Sequence, residues 1–166
     1  TSVKLSYVPG HELAGEVYQI GSAAKAVQVG DRVSAHIDIN CKTCEFCLSG
    51  RPNIRPDLVR IGFERDGSHQ EFCVVPEANV LKIGEQISFE QAAITPDAVA
   101  CSYHAVKTKA RVRPGQRVAV LGVGGVGFHT VQIAKLLGAE VIATSRNDEK
   151  LQLAQKFGAD HVVNTA

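Results

Sequence analysis

The chain contains no methionine and no tryptophan, and aromatic residues make up only 5% of its 166 positions. No initiator methionine heads it, and Thr1 to Leu5 lack the basic, apolar and small-residue order of a secretory leader. The expectation is an internal piece of a longer protein. Also missing are any apolar run long enough to span a bilayer, any block of basic residues and any internal repeat. A net charge of +1 gives no long-range field to recruit nucleic acid or an anionic membrane, so neither is expected as a partner. Cysteine is scarce and odd in number, with five in all and three of them between Cys41 and Cys47. That arrangement argues against a disulfide framework and for reduced thiols or metal ligation, in a reducing, cytoplasmic compartment.

What is present organises itself around Arg117 to Gly138. A β-branched run, Val118 to Leu121, reads as a buried strand. Gly122, Gly124 and Gly127 follow with G-x-G-x-x-G spacing, Gly125 and Val126 completing the turn, and apolar residues recur at Val131, Ala134 and Leu137. In such a turn the first glycine permits the sharp bend and the second lets backbone approach a pyrophosphate. The third lets helix pack on strand. A second strand is expected at Val141–Thr144, a helix capped by Asn147 or Asp148 and ended by Gly158, and a third strand at His161–Val163. The result is a βαβαβ unit able to hold a dinucleotide, the first half of a doubly wound sheet. Where an acid would hold the ribose of NAD, the chain has Thr144-Ser145-Arg146. Ser145 and Arg146 suit a 2′-phosphate, so NADP is favoured and NAD stays open.

The preceding region alternates in short apolar runs, with strands expected near Leu13–Ile20, Arg32–Ile37, His69–Val75 and Val80–Ile83, a spacing that suggests a barrel-like β domain. Ser88 and Gln91 have capping-box spacing, opening a helix through Ile94. Pro96 is expected to interrupt it, with a second helix over 97–107. The domain border is placed at 108/109.

Taken in order, Gly10-His11-Glu12-x-x-Gly15-x-Val17, Gly30-Asp31-Arg32-Val33, the Cys41, Cys44, Cys47 cluster, Pro76, Ser88 to Ala93 and Gly122-x-Gly-Gly-x-Gly127 resemble the zinc-dependent medium-chain alcohol dehydrogenases over essentially the whole chain. The resemblance implies a β-rich GroES-like catalytic domain, N-terminally truncated here (1–108), and the first half of a Rossmann domain (109–166), an α/β and β architecture. It implies hydride transfer between an alcohol and NAD(P), giving an aldehyde or ketone, with Zn2+ polarising the oxygen and hydride crossing the cleft between domains.

By that resemblance His11 is a catalytic zinc ligand, Glu12 stands beside the metal, and Asp97, six residues before Tyr103, is the further ligand. Cys101, on the same helix face, is the competitor. The family's upstream catalytic Cys has no counterpart in Thr1 to Pro9, so this piece alone is expected to be inactive. Cys41, Cys44 and Cys47 match the structural zinc lobe, but Arg55 stands where a fourth Cys is expected. Asp57 or water would complete the set, or the lobe holds no metal. Cys73 reads as core, and His36, His69, His104, His129 and His161 are assigned no role. Homo-oligomers are expected of the intact protein. Two rivals remain: a zinc-free quinone reductase-like NADPH oxidoreductase, and a non-catalytic nucleotide-binding module.

Overall fold

The computed structural model describes residues 6–166, so the opening segment read above for a leader pattern lies outside the described residues. Two compact units follow one another, the first ending at Asp97 and the second beginning at Ala98.

The first unit holds β1 (Ala14–Glu16), β2 (Arg32–Ala35), β3 (Asp38–Ile39), α1 (Glu45–Leu48), β4 (Val59–Arg60), β5 (Val80–Lys82) and α2 (Phe89–Ile94). Strands β1, β2 and β5 form an antiparallel sheet in the order β1-β2-β5, with Gly15 opposite Val33 and Ser34 opposite Leu81. β3 and β4 form a separate two-stranded ladder in which Asp38 faces Arg60. The strands are shorter than the alternation predicts. The expected strand over 69–75 does not form, because among the described residues no ladder partner runs beside it.

The capping box at α2 is present in both directions: Gln91 N donates to Ser88 Oγ at 3.2 Å and Ser88 N to Gln91 Oε1 at 3.1 Å. Pro96 does not interrupt the helix as expected. It sits inside a π-helical turn, Thr95–Val99, that runs into α3 (Ala100–Tyr103) and a second π-helical turn, His104–Lys109. Proline removes the N–H that would serve the Ala92 carbonyl. That oxygen instead accepts from Thr95 N and from Ser34 Oγ, at 3.0 Å for the latter. Ser34, almost wholly buried on β2, therefore relieves the helix of proline's usual cost.

The second unit contains α3, β6 (Arg117–Leu121), α4 (Gly125–Leu136), β7 (Glu140–Ser145), α5 (Asp148–Lys156) and β8 (His161–Asn164). The strands are parallel in the order β6-β7-β8, with Val118 beside Val141 and Ala143 beside Val162. Its core is built of small and β-branched side chains: Val131, Ala134, Val141, Ala143 and Ala154 are fully buried. Alanine on the helices lets them lie close to a sheet that presents Val120, Val141 and Ala143 to the core. Gly138, at φ 80°, ends α4 in the left-handed conformation that a side chain resists. Asn147 caps α5, its Oδ1 accepting from Lys150 N at 3.0 Å. Residues 98–109 group with this unit because α3 packs on α4. Among the described residues no helix is long and apolar enough to cross a membrane.

Candidate active site and cofactor cradle

His11 stands on a loop held largely by backbone, with Val8 N also donating to Asp66 Oδ1 at 2.9 Å. Gly67 N donates to Val8 O at 2.7 Å, Ser68 N to Gly10 O at 3.0 Å and His69 N to Pro9 O at 2.9 Å, so residues 8–10 and 67–69 are laced together. The approach is close enough to require glycine on both sides. Gly10 has φ 100°, and a Cβ there would lie 2.6 Å from His69 Cδ2; a Cβ on Gly62 or Gly67 would collide with the Gly10 carbonyl. Sequence reading noticed Gly10 but missed Gly62 and Gly67, which answer it from far along the chain.

On this loop, His11 Nε2 lies 2.9 Å from Asp97 Oδ2. Both side chains are partly accessible, at 35% and 24%. The His11 ring also meets Phe63, centroid to centroid at 5.1 Å, and the other partner of Phe63 is the Arg60 guanidinium, 4.3 Å from the ring centroid. Arg60 is itself held by both oxygens of Glu64, Nη2 to Oε1 at 2.7 Å and Nε to Oε2 at 3.0 Å. This two-pronged pair holds the Glu64 carboxyl below its ordinary range and raises the guanidinium. Burial pushes the Asp38 carboxyl up, against the opposing pull of His36 and Arg60. A cleft of about 390 Å³ opens beside His11, lined also by Glu12, Phe63 and His69. His69, given no role from sequence, thus faces the same space, and only the fold could place it there.

An imidazole nitrogen and a carboxylate oxygen converging on one point are donors that Zn2+ accepts. Two donors do not make a complete shell. Among the described residues the only group of three or more donors drawn together is the cysteine trio.

That trio is compact. The Cys41, Cys44 and Cys47 sulfurs lie within 4.8 Å of one another, and Cys41 and Cys47 at 3.6 Å. Thiolates on a tetrahedral zinc, bonded at about 2.3 Å, stand about 3.8 Å apart, so the spacing suits the ion. Cys44 N points at Cys41 Sγ and Cys47 N at Cys44 Sγ, each at 3.4 Å. The Thr43 hydroxyl, with the N–H groups of Thr43 and Cys44, draws the Cys41 thiol down to about 5. Arg55 donates from Nη1 to Ile39 O at 3.2 Å, and Asp57 is exposed and outside the cluster. Neither supplies a fourth donor. Cys73, expected in the core, is only partly buried.

In the second unit, Gly122 takes φ 90° and its N–H bonds to Thr144 O at 3.1 Å, bringing the end of β7 against the turn. A Cβ on Gly127 would strike the Gly122 carbonyl, whereas one on Gly122, Gly124 or Gly125 would meet nothing within 4 Å. Packing therefore demands Gly127, while the space over Gly124 and Gly125 is left open. No side chain caps α4 at Gly124, so the first-turn N–H groups at Gly125, Val126 and Gly127 are offered to an anion. The helix start is anchored from behind by fully buried Ser102, whose Oγ lies 2.8 Å from Val126 O and 3.2 Å from Thr130 Oγ1. Ser145 ends β7 with its Oγ accepting from Asn147 N at 3.2 Å, and Arg146 follows, exposed to solvent.

Comparison with known proteins bears on both regions. Residues 1–85 match the family model described as alcohol dehydrogenase GroES-like domain, and residues 125–166 the one described as zinc-binding dehydrogenase. An alcohol dehydrogenase of Geobacillus stearothermophilus is 39% identical over 162 residues, 97% of this chain and 48% of that protein. Among solved structures, an NAD-dependent alcohol dehydrogenase superposes with a TM-score of 0.92 at 37% identity, covering 98% of this chain and 48% of its own. A Sinorhizobium meliloti 1021 protein bound to NADP, assigned as a zinc-binding dehydrogenase, also gives 0.92, at 33% identity and with 99% and 48% covered. The chain spans about half the length of these relatives. With the GroES-like match running through the loop of His11 and the second match through the helix of the glycine turn, the chain belongs to the zinc-dependent medium-chain alcohol dehydrogenase family.

Proposed function

We propose that the intact protein is an oxidoreductase exchanging hydride between a small alcohol, or the matching aldehyde or ketone, and NAD(P). In this reading residues 1–108 are the catalytic domain and residues from 109 onward the nucleotide-binding domain. The observation that carries it is the meeting of His11 and Asp97 at 2.9 Å, on a loop packed so closely that Gly10, Gly62 and Gly67 leave no room for a Cβ.

His11 and Asp97 would hold the catalytic zinc, with Glu12 beside the cleft as a carboxylate able to approach it. Bound there, Zn2+ supplies a Lewis acid for the alcohol oxygen, and the nicotinamide supplies the hydride acceptor. The chain's own work is positioning. Asp97 fixes which imidazole nitrogen faces the donor point, and the Gly10, Gly62 and Gly67 contacts keep that point from shifting. Around Gly122, Gly124, Gly125, Val126 and Gly127, backbone N–H groups and open space would receive the cofactor pyrophosphate. Ser145 and exposed Arg146, next to that turn, favour the 2′-phosphate of NADP over NAD. Cys41, Cys44 and Cys47 would hold a second, structural zinc.

Zinc analysis combined with cofactor titration tests this reading. Zinc that depends on Asp97, together with NADPH binding, supports it. NADPH binding with no zinc at His11 replaces it with the zinc-free reductase or the nucleotide-binding module.

A further inference from the structure

Glu64, Arg60, Phe63 and His11 form one stack. Each link is short: the carboxylate grips the guanidinium at 2.7 and 3.0 Å, the guanidinium lies 4.3 Å from the Phe63 centroid, and Phe63 lies 5.1 Å from the His11 ring at an interplanar angle of 42°. The links come from one turn. Arg60 O accepts from Phe63 N, Glu64 N and Arg65 N, so residues 60–65 curl on themselves and present Arg60 and Phe63 to the same side. Gly62, within that turn, abuts the carbonyl of Gly10, the residue before His11. The turn is therefore built against the histidine loop through both backbone and rings.

An imidazole on an accessible loop can rotate about its χ2 torsion and offer either nitrogen. Here Nε2, the far nitrogen, faces Asp97. One carboxylate contact does not hold a ring plane, whereas a second ring against its face does. Phe63 has no such freedom itself, since a guanidinium fixed by two carboxylate oxygens covers it.

We propose that Arg60, acting through Phe63, sets the orientation of the His11 imidazole, making both of them positioning residues for the donor pair. The proposal deepens the metal reading of His11 and rests on it only for its consequence, since the ring orientation itself is a property of the metal-free chain.

The test uses the metal-free chain. Histidine ring signals are recorded by 1H–13C spectroscopy, with His11 identified by His11→Asn, and cobalt(II) is then titrated and read by the paramagnetic shift and broadening of those His11 signals, which cobalt in the cysteine lobe does not report. Arg60→Gln and Phe63→Leu should both move the His11 signals and weaken cobalt binding about tenfold, the loss typical when the support of a metal ligand is removed. Phe63→Tyr keeps the ring and should leave both readings as in the parent. Arg60→Lys keeps the charge but not the fork and should move the His11 signals part of the way, which preserves the test if Arg60→Gln or Phe63→Leu fails to fold. His11 signals identical to the parent's in the arginine variants overturn the proposal. Signals that move while the parent takes up no cobalt at His11 uphold the positioning role and remove the metal reading instead.

Discussion

The His11 imidazole and the Asp97 carboxylate, one near the start of the first unit and the other at its last residue, meet at 2.9 Å. Asp97 reaches that place because the helix does not stop at Pro96; the π-helical turn over Thr95–Val99 carries the carboxylate onward. Replacing Asp97 by Ala should remove zinc from the His11 site and abolish turnover of the intact enzyme, while Cys101→Ala retains both. Zinc stoichiometry by atomic absorption on each variant decides between them. Zinc lost with Cys101→Ala and kept with Asp97→Ala would move the donor by one helical turn.

The two regions differ in how much of them could be read beforehand. The glycine turn and its flanking strands are local. Val118 to Leu121, the spacing of Gly122, Gly124 and Gly127, and the terminators Gly138 and Gly158 each act on their immediate neighbours, so a linear reading finds them. The surroundings of His11 are not local. Gly62 and Gly67 matter only because they touch Gly10, and Arg60 and Phe63 only because their turn lies against the histidine loop. Pro96 misled for the same reason: the group that compensates it, Ser34 Oγ, comes from a strand distant in sequence.

Cys41, Cys44 and Cys47 draw together with no fourth donor among the described residues, and Arg55 bonds the carbonyl of Ile39, two residues before Cys41. Arg55→Cys should tighten zinc binding in the lobe and, with cobalt(II) in its place, shift the spectrum from three-thiolate to four-thiolate coordination. Cys47→Ser should lose the metal altogether, because only two sulfurs remain. An unchanged cobalt spectrum in Arg55→Cys would mean that residue 55 does not reach the site.

The grip of Glu64 on Arg60 gives a defined acid sensitivity. The folded-state pKa of Glu64 lies below its ordinary 4.5, so the stability it contributes is complete above that value and is lost as pH falls through the lowered one. Glu64→Gln should thus be less stable than the parent near about pH 6.5, with the difference shrinking toward about pH 3. Urea midpoints at the two pH values measure it. A gap that widens on acidification would show that another carboxyl governs this region.

Arg146 lies exposed just past the end of β7, beside the turn that begins at Gly122. Arg146→Ala should weaken NADPH by roughly 1.5–3 kcal/mol, the worth of a charged hydrogen bond, and leave NADH nearly unaffected. Fluorescence titration with both nucleotides is sufficient. Equal losses would assign the arginine to the adenine or ribose common to both.

Gly124 and Gly127 separate what the turn needs for folding from what it needs for a ligand. At Gly127 a Cβ would run into the Gly122 carbonyl, whereas at Gly124 it would enter open space at a φ of −112°, outside the left-handed region that resists a side chain. Gly127→Ala should therefore lower the melting temperature despite alanine's better helix propensity, because backbone cannot give way at so short a range. Gly124→Ala should melt like the parent and yet lose affinity for NADPH, since the methyl group would occupy the volume a pyrophosphate approaches. Calorimetry and nucleotide titration on the two variants give opposite patterns if the spacing serves a dinucleotide. A Gly124→Ala variant that binds as well as the parent would reduce the motif to a strand-to-helix connection.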